Sequence, residues 1–130
     1  LDQALRALRL HSNARLLLVF GCGGDRDRGK RAQMGAIGAQ ADVLYLTSDN
    51  PRSEDPQRIL DDIGRGVPMH AEMHRVTDRA EAIRMALGAA QSDDLVLIAG
   101  KGHEDYQEIQ GQRLPFDDRA LARALLEDAA

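Results

Sequence analysis

The sequence predicts an α/β domain with a mainly parallel sheet covered by helices, and three observations lead there. Leu16–Phe20 and residues 41–47 (ADVLYLT) and 94–99 (DLVLIA) are short, strongly apolar runs, as expected of strands buried on both faces. Between them, apolar residues recur at helical spacing, which gives the strand–helix alternation of a parallel sheet. Each run then opens into a loop rich in glycine or charge, and ligands of open α/β sheets sit at the carboxyl ends of the strands.

The elements follow in order. Leu1, Leu5 and Leu8 share one face of a short helix ending near His11, and Ser12 and Asn13 break it. After the first strand and its glycine loop, Met34, Ile37 and Ala41 place a helix over about residues 30–41. The second strand leads into Ser48-Asp49-Asn50-Pro51-Arg52. Asp55 then caps a helix with Pro56 at its first position, Leu60 and Ile63 on its core face, and Gly64 and Gly66 at its end. A short strand is expected around residues 73–76. Asp78 with Glu81 resembles a capping box and starts a helix carrying Ile83, Leu87 and Ala90. The third apolar strand opens into Gly100-Lys101-Gly102-His103-Glu104-Asp105-Tyr106. Residues 106–110, Gly111 and residues 112–116 read as a β-hairpin, and Asp117 or Asp118 caps a last helix with Leu121, Leu125 and Leu126.

Composition narrows the function. The 130 residues suit one domain with a real core, and 43% hydrophobic with 29% charged residues is ordinary for a globular chain. A net charge of -4 argues against a general binder of nucleic acid or membrane surfaces. One cysteine excludes an intrachain disulfide framework and fits a reducing compartment. No signal peptide or membrane-spanning run is visible. The start at Leu1, without Met and inside a helical pattern, suggests a domain cut from a longer protein.

If the strands are parallel, the three loops meet at one sheet edge. Of 17 basic residues only Lys30 and Lys101 are lysines, and both sit in these loops beside glycines. Gly24, Gly29 and Lys30 fit G-x-x-x-x-G-K, but Arg31 stands where a P-loop needs Ser or Thr for Mg²⁺, and Asp25 and Asp27 would repel phosphates. The loop therefore reads as a tight connection with solvated charges. Cys22 with His103 could form a nucleophile and base, or Cys22 could simply be a buried strand-end residue. His70 and His74 are four apart without an HExxH pattern, which gives no zinc signature. Arg26, Arg52 and Glu104 form the better constellation, one from each loop. Two arginines can hold a carboxylate and Glu104 an ammonium, which together suit an amino-acid head group. The alternative is a solvated cluster of loop salt bridges.

GCGGDRDRGKR, SDNPR and AGKGHEDYQ, in that order, resemble the C-terminal domain of the Mur ligases, of the type that adds 2,6-diaminopimelate. The resemblance covers nearly all of residues 1–130, including Met34-Gly35-Ala36-Ile37 and the hairpin ending in Gly111-Gln112-Arg113-Leu114. Two departures lie outside these motifs: the segment before the second strand is about one residue short, and residues 66–77 match poorly.

The resemblance implies a Rossmann-like three-layer α/β fold, mostly parallel, with an antiparallel edge hairpin. It implies a part of a cytoplasmic, ATP- and Mg²⁺-dependent ligase of peptidoglycan synthesis. That family activates the D-Glu carboxylate of UDP-N-acetylmuramoyl dipeptide as an acyl phosphate, and the amine of the incoming amino acid attacks it. On this resemblance Arg26 and Arg52 hold the distal carboxylate of meso-diaminopimelate, Asp49-Asn50-Pro51-Arg52 is the substrate-site motif that marks diaminopimelate rather than lysine enzymes, and Gly100 and Glu104 receive the distal ammonium. Lys30 and Lys101 are candidates for the phosphate side. The family's catalytic and metal-holding residues belong to upstream ATP- and UDP-binding domains, so none is expected here, and the 130-residue chain alone is expected to be inactive. Nucleic acid and membrane are not expected partners. The competing class is a free-standing α/β module that binds a small ligand. A small P-loop kinase is disfavoured by Arg31.

Overall fold

The computed structural model describes residues 1–25, 28–100 and 104–129. Strands β1 (Leu16–Phe20), β2 (Val43–Leu46), β3 (Glu72–Arg75) and β4 (Leu95–Ile98) form one sheet in the order β3-β2-β1-β4. All three pairings are parallel. Because β2 and β4 lie on opposite sides of β1, the strand order reverses between β1 and β4, where open α/β sheets leave a crevice.

Alternation along the strands divides the core in two. Leu16, Leu18, Phe20, Leu44 and Leu46 face one side. There they meet Leu5 of α1 (Asp2–His11), Met34 and Ile37 of α2 (Arg31–Gly38), and Ile59, Leu60 and Ile63 of α3 (Pro56–Gly64). Leu17, Val19, Val43 and Tyr45 face the other side, against Ala82, Ile83 and Ala86 of α4 (Arg79–Ala89) and Leu121 and Leu125 of α5 (Asp118–Ala129). This is the expected three-layer α/β arrangement.

The local stop and start signals work as read. Asp55 accepts a hydrogen bond from the Gln57 amide at 3.0 Å with Pro56 at the first helical position. Asp78 accepts from the Ala80 amide at 3.1 Å, while Glu81 pairs with Arg84 rather than closing a capping box. Asp117, not Asp118, caps α5, accepting from the Arg119 and Ala120 amides at 3.0 and 3.1 Å. Helix α2 is shorter than the periodicity suggests. A 3₁₀ turn, Arg28–Lys30, precedes it and it ends at Gly38, so Ala41 reaches the first core from the turn before β2. His74 stacks on Tyr45 of the neighbouring strand at 5.0 Å, so its ring is part of the sheet surface.

The hairpin, β5 (Tyr106–Ile109) and β6 (Gln112–Pro115), is antiparallel and forms a two-stranded sheet of its own. Gln110 and Gly111 make its turn, both at positive φ, which suits a two-residue connection. Main-chain bonds to the loop after β2 hold the hairpin over that loop: the Arg52 amide donates to Glu108 O at 2.8 Å and the Gln110 amide to Arg52 O at 2.6 Å. No helix among the described residues is long and apolar enough to cross a membrane.

Candidate functional site

Parallel pairing brings the loops after β1, β2 and β4 to one end of the sheet, and each is tied to the next. The Gly24 amide donates to Asn50 O at 2.7 Å. A Cβ at Gly24 would lie 1.8 Å from Pro51 O, so only glycine allows this approach of the first loop to the second. Asp25 accepts from the Ser53 hydroxyl at 2.7 and 2.9 Å, and its own amide donates to Glu54 Oε1 at 3.1 Å.

Asn50 is buried and connects the second loop to the hairpin. Its Oδ1 accepts from the Glu108 amide at 2.9 Å, and its Nδ2 donates to Glu104 Oε1 at 3.3 Å. The Tyr106 hydroxyl donates to the other Glu104 oxygen at 3.4 Å. Gly100, at φ +113°, sits beside Asp49: a Cβ there would lie 3.6 Å from Asp49 Oδ2.

Arg52 is at φ +54° and its side chain is mostly buried. Its Nη1 donates to Gly24 O at 2.9 Å and Asn50 O at 3.4 Å, and its Nε pairs with Glu108 at 3.2 Å. Among the described residues Nη2 has no partner. The guanidinium is thus oriented by two loop carbonyls and one carboxylate, with the N–H groups of Nη2 left to donate to an acceptor. The structure brings together Asp49, Asn50, Pro51, Arg52, Gly100 and Glu104. Arg26, Lys101 and His103 lie outside the described residues. Lys30 is exposed at the end of the 3₁₀ turn.

Residues 1–102 match the family model described as Mur ligase, glutamate ligase domain. The chain belongs to this family. Two relatives among those it matches are UDP-N-acetylmuramoyl-L-alanyl-D-glutamate–2,6-diaminopimelate ligases. The one from Synechococcus sp. (strain WH7803) is 55% identical over 97% of this chain. The one from Trichormus variabilis is 53% identical over 98% of it. A solved structure of an enzyme with that same name superimposes with a TM-score of 0.93 and 47% identity over 98% of this chain. The chain spans 26% of the length of each of the two relatives and 27% of the chain in that structure.

Reading the charges of the Mur ligase glycine loop as solvated fails at Arg31. Its side chain is only 1% exposed. Nη1 donates to Glu54 Oε2 at 2.6 Å and Asp62 Oδ2 at 2.9 Å; Nη2 donates to Glu54 Oε1 at 2.9 Å and Gly23 O at 3.1 Å. Arg31 therefore clamps the first loop to the segment after Arg52 and to α3. Hydrogen bonds from Arg31 outweigh desolvation and hold the Glu54 carboxyl down to about 2. Burial would raise Asp62, but hydrogen bonds from Arg28 and Arg31 prevail and hold it below its usual value. Neither partner was legible beforehand, since Glu54 and Asp62 lie 23 and 31 residues from Arg31 and look like ordinary surface acids.

Cys22 is half-buried and packs against the first core. Desolvation pushes its thiol up to about 11, with Asp49 adding to the effect and Arg31 opposing it. A thiol so rarely ionised at neutral pH is a poor nucleophile.

Proposed function

We propose that this Mur ligase domain binds and positions meso-diaminopimelate for an ATP-dependent ligase that adds it to UDP-N-acetylmuramoyl-L-alanyl-D-glutamate in cytoplasmic peptidoglycan synthesis. The observation that carries the reading is Arg52: a guanidinium oriented by Gly24 O, Asn50 O and Glu108, with Glu104 held by Asn50 on the same loop cluster. In this reading Arg52 and Arg26 pair with the distal carboxylate of the ligand. Asp49 and Pro51 shape the loop that presents Arg52. Glu104 and the Gly100 carbonyl take the distal ammonium. L-Lysine has that ammonium but no distal carboxylate, so it would leave the arginines without their acceptor, a strong ground for rejection.

The described residues offer no seat for Mg²⁺ at the G-x-x-x-x-G-K match, because the position that a P-loop fills with a metal-binding hydroxyl is the buried Arg31 clamp. ATP, which supplies the activating phosphoryl group, its Mg²⁺ and the uridine nucleotide are assigned to other parts of the ligase. Lys30 and Lys101 face the phosphates when those parts close over this domain.

The test is made on the intact ligase with ATP, Mg²⁺ and the nucleotide dipeptide. Tripeptide should form with meso-diaminopimelate and scarcely with L-lysine. The 130-residue chain alone should release no phosphate above a heat-killed control. Equal use of both amino acids would sink the substrate assignment.

A further inference from the structure

Arg79 is the first residue of α4, and its side chain is completely buried. Asp118, at the start of α5, receives it through a two-point pair: Nε donates to Oδ1 at 2.8 Å and Nη2 to Oδ2 at 2.7 Å. The same guanidinium reaches two main-chain carbonyls, Ser48 O from Nη1 at 3.1 Å and Ala99 O from Nη2 at 3.2 Å.

Those carbonyls come from strands that are not neighbours. Ser48 follows β2 and Ala99 follows β4, with β1 between them in the sheet. The residue after Ser48 is Asp49, and the residue after Ala99 is Gly100. One side chain therefore holds the last carbonyl before each of two ligand loops. Ser48 O also accepts from Gln107 Nε2 of the hairpin at 3.3 Å, which adds the third piece to the same node.

A buried ion pair is a poor source of net stability, and an apolar pair of similar volume often serves a core as well or better. An apolar side chain cannot donate to two carbonyls at once. Gly100, in a backbone conformation open to glycine, has no side chain of its own to hold its peptide in place. We infer that Arg79, oriented by Asp118, is a positioning residue that sets the spacing between the Asp49–Arg52 loop and the loop starting at Gly100. It thereby sets the distance between the carboxylate-reading and ammonium-reading ends of the amino-acid site.

This inference rests on the proposed function, and the experiment separates the two. In the intact ligase, KM for meso-diaminopimelate, ATP and the nucleotide dipeptide is measured for wild type, Arg79→Lys and Asp118→Asn, alongside thermal melts. Lysine keeps the charge but cannot make the paired contact with Asp118 while reaching both carbonyls. KM for diaminopimelate should rise about tenfold or more, with the other two KM values within about twofold. A rise shared by all three substrates, or no rise, overturns the positioning role. If Arg79→Lys does not fold, Asp118→Asn, which keeps an acceptor for Nε, carries the same comparison alone. Failure of the wild-type enzyme to use diaminopimelate would instead overturn the proposed function, before any variant is compared.

Discussion

Arg31 and Glu54 form a two-point ion pair, Nη1 to Oε2 at 2.6 Å and Nη2 to Oε1 at 2.9 Å, joining the loop after β1 to the residues just past Arg52. The two loops that meet at the candidate site are thus also braced by this pair.

The brace makes stability depend on acid. Glu54 titrates near 2 in the folded chain against an ordinary 4.5. A carboxylate lowered on folding contributes its stability above the unfolded value, so the contribution is complete above about pH 4.5 and is lost as pH falls toward 2. At ~1.4 kcal/mol per unit, the contribution at neutral pH is about 3 kcal/mol. Glu54→Gln should be less stable than wild type by up to that amount at pH 7, and the two should converge near pH 2. Urea midpoints across this range are the measurement, and a gap that does not change with pH would refute the assignment. Arg31→Met, which removes the two-point partner of Glu54 and leaves Asp62 to Arg28 and Arg65, should cost about 3–5 kcal/mol at pH 7.

Arg52 should govern selectivity in the intact ligase. Removing one member of a charge-assisted pair in a closed site costs roughly 2–5 kcal/mol, or about 30- to several-thousand-fold in catalytic efficiency. Arg52→Ala should lose diaminopimelate use by that order and narrow the preference over L-lysine. Arg52→Lys should recover only part of it, because an ammonium cannot reproduce the planar contact. The quantity to measure is the efficiency ratio for the two amino acids. An unchanged ratio in Arg52→Ala would mean that Arg52 does not read the carboxylate.

Two glycine substitutions should move stability in opposite directions. Gly24→Ala places a methyl 1.8 Å from Pro51 O, so the loops must part, at a cost of about 1–3 kcal/mol. Gly88→Ala lies within α4 with nothing inside 4 Å of the added Cβ and should gain roughly 0.5–1 kcal/mol. Thermal melts of both variants test this, and a stabilised Gly24→Ala would disprove the close approach.

Cys22 should react slowly with alkylating reagents at neutral pH. Its rate should climb with pH well past the range where an ordinary thiol has already levelled off, since burial moves ionisation to about 11. Iodoacetamide kinetics against free cysteine measure this. A plateau near pH 8.5 would show that Cys22 is not desolvated.

The sequence was most readable where a residue acts on its own neighbours. Asp55 caps the helix that Pro56 begins, and the unbroken apolar run at residues 16–20 becomes the central strand, buried on both faces. Asp49-Asn50-Pro51-Arg52 was legible as a motif. What it touches was not, because Asn50 and Arg52 are completed by Glu104 and Glu108, more than fifty residues away. Arg31 and Arg79 were missed for the same reason. In a chain with 17 basic residues, nothing local marks the two that are buried among the described residues. Only the tertiary approach of the segment holding Glu54, of α3 with Asp62 and of α5 with Asp118 supplies the carboxylates that make their burial tolerable.

The left-handed backbone at Arg52, which costs a non-glycine residue about 1–2 kcal/mol, is held from both sides by residues 108 and 110. During synthesis every strand of the four-stranded sheet has been made once Ile98 emerges, and the hairpin comes later. A chain interrupted between these points has all of its sheet strands but lacks the main-chain clasp that residues 108 and 110 place on Arg52. Maturation of the candidate site therefore lags maturation of the sheet, so a premature stop in that interval would yield a domain with its strands complete and the backbone of Arg52 unclasped.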